Sequence, residues 1–577
     1  LPVDAEGDPR ALIEQIVDTV AVRVRPERAA HHREGYERFT VDAVIAEEER
    51  IFDMIDAVDN RTMLDVRPED LGDLSADQAR AIANIAASPY LVQPLQAPAG
   101  AGKTHSLKAL RAAAHRAHKE VLVLASTGKA VDEAMRHQAG DRGLTIAKAL
   151  QLIEDGQLGV DRRTVIVVDE ASMVGTPELK KLVSCAVAGH AKTVLVGDAY
   201  QLAPVKARGG MFENLCDDLP WSQRLGEVWR MRDPNERDVS LALRSGQGNR
   251  LRKAVGWYRN RDRLHIGDPI AMADDATTAY ISARAAGKDA AIICDKWEIA
   301  DAINRRLHGT YTDNTAPGVR VARDQDVRTG DVIISRSNDT SLTVEPGARH
   351  RRGERIDQVR NGNRWRVVAV DARQGRIAAE RLTDTARIIF DGEYLREHIT
   401  LGYATTLHAA QGITIGNNTT AGACFTLLSD KASRAMAYVG MTRGKDENHA
   451  YIYQPITGEA DHEHARLASG AEIHQTRRGD KYAAAHQFRM ILANDERPRT
   501  MHAEAERSDR DLLPAVIGAL LDRNDKRRTA RRAAWQAHTA QVRARDAAYQ
   551  RLTAATRDGA QQAAERERSI DGDGLEL

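Results

Sequence analysis

A chain of 577 residues, 42% of them hydrophobic, is long enough for roughly three or four domains with cores of their own. Its 83 basic and 83 acidic residues balance, so net charge neither marks nor excludes a nucleic-acid partner. Four scattered cysteines (Cys185, Cys216, Cys294, Cys424) exclude a disulfide framework and a zinc motif. The absence of a signal peptide and of any apolar run near about 18 residues excludes a membrane-spanning helix, so a soluble, cytoplasmic protein is expected.

Residues 1–70 are charged and read as helical. In the stretch from Phe39 to Ile51, Thr40 stands at a cap position before apolar residues at helical spacing. From 71 to 226 short apolar strands alternate with helices. Runs such as 121–124, 164–168 and 193–196 suit a parallel sheet buried on both faces.

Between the apolar run Tyr90-Leu91-Val92 and a helical stretch at 106–110 lies Ala97-Pro98-Ala99-Gly100-Ala101-Gly102-Lys103-Thr104, followed by His105. A strand, a small-residue turn and a helix in that order make a phosphate cradle. The turn's N–H groups point inward, the helix N-terminus adds its positive end, and Lys103 reaches the β- and γ-phosphates of ATP. Thr104 can hold Mg²⁺. The usual first glycine is Ala97 here. Farther on, Asp169 and Glu170 close a buried strand. Asp169 is expected to hold Mg²⁺, and Glu170 to orient and deprotonate the attacking water. After the next strand, Gln201 is placed to sense the γ-phosphate.

A second α/β pattern, read over 227–310 and 400–455, includes a strand at Ala290-Ala291-Ile292-Ile293-Cys294 and a helix through Ala300, Ile303 and Leu307. It resumes near Leu401 and runs to about 455. Between its halves, residues 311–399 carry turns and alternating strands, which reads as a small inserted β-domain. From 456 the chain reads as helical and charged, with a disordered tail from Arg557. The basic run at 526–532 reads as a solvated helix face in preference to a nucleic-acid contact. The pairs His31-His32 and Asp461-His462-Glu463-His464 read as surface histidines rather than metal ligands.

A series of ordered motifs resembles those of superfamily 1 DNA helicases of the RecD-like branch, over about residues 70–455. Besides the cradle, Asp169-Glu170 and Gln201, these are Leu74-Ser75-Ala76-Asp77-Gln78; Ala125-Ser126-Thr127-Gly128-Lys129-Ala130 with Thr145 and Ala147; Glu227-Val228-Trp229-Arg230; the segment from Gly402 to Thr414; and Ala437-Tyr438-Val439-Gly440-Met441-Thr442-Arg443-Gly444. The resemblance implies two RecA-like P-loop domains with parallel sheets, a small β-barrel-like insertion in the second, and helical extensions at both ends. It implies that Gln78 reads adenine, that Gly412 joins the cradle residues 98–105 at the nucleotide, and that Arg230 and Arg443 reach the γ-phosphate. Thr127, Thr145, Thr406 and His408 would contact single-stranded DNA. Ala409-Ala410 stands where Lys-Ser is more usual.

The segment Val359-Arg360-Asn361-Gly362-Asn363-Arg364-Trp365, Leu401-Gly402-Tyr403-Ala404 and the 39–50 stretch resemble the helicase half of conjugative relaxase-helicases. Single-stranded DNA, duplex junctions, a relaxase and the conjugation machinery are the implied partners, with 5′ to 3′ movement. The first residue is Leu1, so a nickase is expected upstream or as a separate protein. Two alternatives stand beside this reading. One is a repair or recombination helicase of the same branch. The other is a DNA-dependent ATPase that loads or binds without separating strands, because the stretch at 151–158, where this branch carries a strand-splitting hairpin, is brief and lacks an aromatic wedge. A P-loop kinase or GTPase leaves Arg230, Gln411 and Arg443 unexplained.

Overall fold

The computed structural model describes residues 21–24 and 38–572, except 205–206, 247, 314, 340, 349, 351–355, 357, 418 and 455–476. The side chains of Arg23 and of 545–572 are also outside the description. His31, His32 and the cluster from Asp461 to His464 fall outside it too. The chain forms two compact units, one of residues 42–216 and 222–501, the other of 1–41, 217–221 and 502–577.

In the smaller unit, β1 (Val22–Arg23) pairs antiparallel with β2 (Phe39–Thr40). Thr40 is therefore in a strand, and the helix expected to start at it begins at Asp42. The aromatic and β-branched pair Phe39-Thr40 suits extended backbone better than a helix start. A helix spans Ala515–Gly572, so the tail expected from Arg557 is helical to Gly572. Its alanine, arginine, glutamine and glutamate content favours helix without tertiary support. The basic run is not wholly a solvated face. Arg528 pairs with Asp218 and lies 2.6 Å from Glu506, and Arg531 is buried.

The larger unit holds two parallel sheets and a barrel. The first sheet contains β3 (Val92–Gln96), β4 (Glu120–Ala125), β5 (Arg142–Thr145), β6 (Thr164–Asp169), β7 (Lys192–Gly197) and β8 (Gln223–Arg224), in the order β5-β4-β6-β7-β3-β8. All neighbours run parallel. Every residue of β3 and β7 is buried, which is what helices on both faces require of an apolar run. This doubly wound order carries its loops to the carboxyl edge of the strands, where such sheets place ligands.

The second sheet begins with β9 (Leu264–Gly267) and β10 (Asp289–Cys294). The chain then leaves it for a barrel of β11 (Val319–Val321), β12 (Gln325–Val327), β13 (Val332–Ser335), β14 (Arg364–Asp371), β15 (Arg376–Arg381), β16 (Arg387–Phe390) and β17 (Ile399–Leu401). It returns as β18 (Ala404–Thr406), β19 (Gly422–Ser429) and β20 (Glu447–Tyr453), giving the parallel order β18-β10-β19-β20-β9. Strands β13 to β17 pair antiparallel in the order β16-β15-β14-β13-β17, and β11 pairs with β12. Period-2 alternation in β15 and β16 sends Ile377, Ala379, Ile388 and Phe390 inward around the fully buried Trp365.

The stretch at 151–158 is not a hairpin. Residues 151–154 end the helix Ile146–Glu154, whose N-cap is Thr145, and 155–158 form the turn and bend after it.

One contact ties the barrel to the first sheet's layer. The 359–363 turn, whose Arg360 N–H donates to Asn363 Oδ1 at 2.8 Å, reaches the helix Gly128–Arg136. There the Arg360 guanidinium donates to both carboxylate oxygens of Asp132, at 2.5 and 3.1 Å, with both side chains largely shielded. Removing one partner of such a pair leaves the other charge buried and costs about 3 kcal/mol. Arg360→Ala and Asp132→Ala are each expected to lower the thermal midpoint by several degrees. The double variant should lose much less than the sum, and additive losses would show that the pair is not coupled.

Candidate active site

The cradle follows β3. Gly100 and Gly102 take left-handed backbone (φ 80° and 71°), and Gly102 is the N-cap of the helix Lys103–Arg116. A side chain at either position would be strained. The loop is fixed from below: Ala97 N–H donates to Gly197 O at 2.8 Å, and Ala101 N–H to Pro98 O at 3.1 Å. Gln78 is buried under it. Its Nε2 donates to Ala101 O at 2.8 Å, and its Oε1 accepts the Ser75 N–H at 3.1 Å. The Gln78 amide thus closes a capping box and holds the loop as well as lying beside it. His105, at the exposed start of the helix, turns its ring nitrogen to Asp73 O at 3.3 Å. Thr104 is half-buried at the same turn.

Lys103 lies between the two carboxylates that end β6, 2.9 Å from Asp169 Oδ1 and 2.6 Å from Glu170 Oε1. Burial works against its ammonium, but Asp169 and Glu170 outweigh burial and hold its pKa above the ordinary value. Burial raises Asp169 in turn, and the adjacent Glu170 adds to that rise against the pull of Lys103. Glu170 is also opposed by burial, yet Lys103, then Arg443 and Arg230, keep it ionised below the usual range. Glu170 adopts φ 53°, ψ 42°, a left-handed conformation that costs a non-glycine residue about 1–3 kcal/mol and persists only where surrounding structure imposes it. Its second oxygen, Oε2, is buried and accepts no hydrogen bond from protein.

Arg230 and Arg443 meet beside this group. The Trp229 N–H donates to Gly100 O at 2.8 Å, and a Cβ built on Gly100 would lie 2.5 Å from Arg230 Cβ. Arg230 Nη1 donates to Thr442 O at 2.9 Å. Arg443 is 1% exposed and donates to Val439 O, Ile413 O and Thr442 Oγ1. Neither guanidinium has an ion pair among the described residues. Burial lowers the pKa of both, and for Arg443 the neighbouring Arg230 adds to the effect. Two guanidinia satisfied only by neutral oxygens form a receptor for an anion with several oxygens. Nearby, Gln411 is buried with both ends of its amide unbonded, and Gly412 holds φ 78°. Gln201 is buried in the turn after β7, where its N–H donates to Asp198 O at 3.1 Å.

The four residues assigned to DNA lie at the carboxyl edges of both sheets. Thr145 pairs in register with Ala125 at the ends of β5 and β4, and Thr406 with Cys294 at the ends of β18 and β10. Thr127 and Thr145 are also helix N-caps, accepting from Ala130 N at 3.3 Å and Lys148 N at 3.4 Å. Their hydroxyl hydrogens are not used by these caps. His408 is exposed, one turn past Thr406.

Several neighbours carried no separate signal in the sequence. Trp229 is half exposed at the lip of the cradle, with Arg237 5.4 Å from its ring. Asp198, Tyr438 and Thr442 form buried links inside the cleft. Tyr438 and Thr442 lie within the 437–444 motif and Asp198 just before Gln201, but nothing in spacing distinguishes a linking side chain from a core residue.

Known proteins match parts of this chain. The AAA domain family matches residues 73–269, and the Rv2311 SH3-like barrel domain family matches 319–400. The conjugal transfer protein TraA of Agrobacterium fabrum is 29% identical over 393 residues, 66% of this chain and 32% of TraA. A probable TraA of Sinorhizobium fredii matches to the same extent. The uncharacterized protein Rv2311 of Mycobacterium tuberculosis is 53% identical over 103 residues, 18% of this chain and 56% of its own length. The chain therefore spans about a third of the TraA relatives and little over half of Rv2311. Among solved structures, a Pif1 helicase from Bacteroides in complex with ADP-AlF3 and ssDNA aligns with 66% of this chain and 92% of its own, at 18% identity and a TM-score of 0.41.

The close approach at Gly100 yields a comparison. Gly100→Ala meets both positive φ and the Arg230 backbone, whereas Gly412→Ala meets positive φ with no atom within 4 Å. Gly412→Ala should cost about 1–2 kcal/mol. Gly100→Ala should cost more and also abolish stabilisation by pyrophosphate, read as a shift in thermal midpoint. Equal losses in both respects would mean that Arg230 is not seated on the loop in solution.

Proposed function

We propose, from the premise that the chain belongs to the superfamily 1 helicases and is related to the TraA conjugal transfer proteins, that it is an ATP-driven motor on single-stranded DNA. In this reading it belongs to the RecD-like branch, moves 5′ to 3′, unwinds duplex junctions, and serves DNA transfer alongside a relaxase and the conjugation machinery in the cytoplasm. The observation that carries the reading is the pair of shielded guanidinia, Arg230 and Arg443, joined through Thr442 beside the cradle and without an ion pair among the described residues. The triphosphate of ATP supplies the charge this pair lacks.

The residues present fit ATP and a divalent cation. The loop 98–104 and Lys103 take the phosphates, and Thr104 with Asp169 would hold Mg²⁺, which supplies charge neutralisation at the phosphates. When Lys103 turns to the phosphates, Glu170 loses its cation and becomes a free base. It accepts a proton from water as the water oxygen bonds to the γ-phosphorus and the β–γ bridging oxygen leaves with the bond's electrons. Arg230 and Arg443 stabilise the charge that develops on the transferred group. The exposed Trp229 indole offers a flat apolar face near the cradle for the base.

DNA grip is assigned to Thr127, Thr145, Thr406 and His408 at the two carboxyl edges. Contacts to phosphates there would be independent of sequence. Closing and reopening the cleft would then move one edge against the other along the strand. Translocation without strand separation is the second reading. It is favoured by the end of the helix Ile146–Glu154 and the turn after it, which occupy 151–158 in place of a separating hairpin.

ATP hydrolysis with and without single-stranded DNA, together with unwinding of duplexes bearing a 5′ or a 3′ tail, tests both readings. Stimulated hydrolysis with unwinding from the 5′ tail alone is the expected result. Stimulation without unwinding selects the second reading, and no stimulation removes the DNA function. In the same assay Lys103→Ala is expected to abolish turnover. Glu170→Gln should bind ATP as well as wild type while losing hydrolysis by roughly 10²–10⁴-fold. A Glu170→Gln protein that instead fails to bind would remove Glu170 as the base.

A further inference from the structure

The cleft contains a second cross-link, centred on one phenol and one carboxylate. Tyr438 lies on the helix Arg434–Gly440, five residues before Arg443, and is 1% exposed. Its hydroxyl accepts the N–H of Ala99, inside the cradle, at 3.0 Å. The same hydroxyl donates to Asp198 Oδ2 at 3.0 Å. The other oxygen of Asp198 accepts from Arg244 Nε at 2.9 Å and from the Tyr200 N–H at 3.2 Å. Each of these bonds except the one to Tyr200 crosses from the first sheet's layer to the second's.

The far side of Tyr438 leads to the arginines. Thr442 Oγ1 donates to Tyr438 O at 2.7 Å and accepts from Arg443 Nη2 at 3.0 Å, and Thr442 O receives Arg230 Nη1. A continuous path therefore runs from a cradle N–H, through one phenol, to both guanidinia. Every hydrogen-bonding position on that hydroxyl is committed, with one bond accepted and one donated. Burial, and then the Asp198 charge, keep the phenol protonated and able to donate.

Packing alone does not account for this. Phenylalanine would fill the same volume at this site, and it would leave a buried Asp198 oxygen and a cradle N–H without a partner. We infer that Tyr438 is a positioning residue: its hydroxyl sets the register of the Arg443 turn on the phosphate cradle, so that cleft closure brings the guanidinium to the terminal phosphate. This rests on the nucleotide reading above and adds a residue to it. Tyr438 need touch no part of the nucleotide.

The test uses the full chain and Tyr438→Phe, with two independent readouts. The first needs no turnover: affinity for ADP is compared with affinity for ADP plus aluminium fluoride, which places a mimic of the terminal phosphoryl group where the arginines close. Wild type is expected to gain affinity from the fluoride. Tyr438→Phe should bind ADP within about threefold of wild type and lose about tenfold or more of that gain. The second readout is DNA-stimulated turnover, where kcat should fall about tenfold with KM for ATP within about threefold. Added to Arg443→Ala, the Tyr438→Phe change should have no further effect on either readout.

An unchanged fluoride gain in Tyr438→Phe overturns the inference. So does parallel loss of ADP and ADP–fluoride binding, which marks a merely structural tyrosine, and so does a wild type that gains nothing from fluoride. If Tyr438→Phe does not fold, Asp198→Asn keeps the ring and weakens the acceptor, and it should lose fluoride gain in the same direction. Wild-type protein that closes on ADP–fluoride but shows no DNA stimulation would remove the helicase reading and leave the assignment of Tyr438 standing.

Discussion

Several cations converge on one loop, and carboxylates neutralise only one of them. Lys103 has two, Asp169 and Glu170, at salt-bridge distance. Arg230 and Arg443 have none among the described residues, and they meet at a single threonine. Bringing guanidinia together out of water is unfavourable by Coulomb's law and by desolvation, and carbonyl dipoles repay only part of it. The surrounding chain supplies what it can. Val439 O, Ile413 O and Thr442 O all point at the pair, and the Ile413–Ile415 segment is bound to Arg443 through the Ile415 N–H as well. A site that holds donors in place without an acceptor carries its reorganisation cost in the folded state, so an arriving polyanion does not meet that cost again.

This constraint explains why the site needs both sheets. A single carboxyl edge can present the cradle, Asp169, Glu170 and Gln201, because these follow the adjacent strands β3, β6 and β7. It cannot also supply guanidinia facing the loop from the other side. Arg443 comes from the turn after the helix Arg434–Gly440, and Arg230 from the segment after β8 that crosses over Gly100. Glycine at 100 is then a packing requirement as much as a conformational one, since a Cβ there would lie 2.5 Å from Arg230 Cβ. The barrel adds a third hold. Its Arg360 reaches Asp132 on the helix that follows Thr127, so the layer carrying the proposed strand grip is bound to the insertion as well.

The sequence was most legible where chemistry demands fixed residue types in fixed order. The loop from Pro98 to Thr104 and the acidic pair at 169–170 come to one edge because strands and turns of standard length end there, and the arginines at 230 and 443 meet them from the other side. The inserted barrel was legible through its change of period, from wholly apolar runs to the alternation around Trp365. Legibility failed where function depends on which neighbour a side chain finds. Gln78 reads as a base contact, yet in the fold its amide is bonded to Ser75 and Ala101. Thr127 and Thr145 read as strand contacts and prove also to be caps, because a threonine before a helix satisfies a local need whatever else it does. At Thr40 the capping pattern misled: a short antiparallel pairing with Val22 took the residue that looked like a helix start. The expected end of order at Arg557 failed in the opposite direction, since low complexity and high helix propensity coincide there.

The strained backbone at Glu170 connects these points. A glutamate at φ 53° is retained only if its placement is worth more than an untwisted turn. One of its oxygens is bonded to Lys103 and the other is buried and unbonded. Relaxing the backbone to an ordinary turn would carry the carboxylate away from Lys103 and leave the lysine with Asp169 alone. The strain and the orphan oxygen are thus two consequences of one placement, which holds the Glu170 carboxylate against Lys103. In the proposed reading, where Glu170 is the base, withdrawal of that cation by phosphate frees the carboxylate without any movement of Glu170 itself, so that binding and activation become a single event at Lys103.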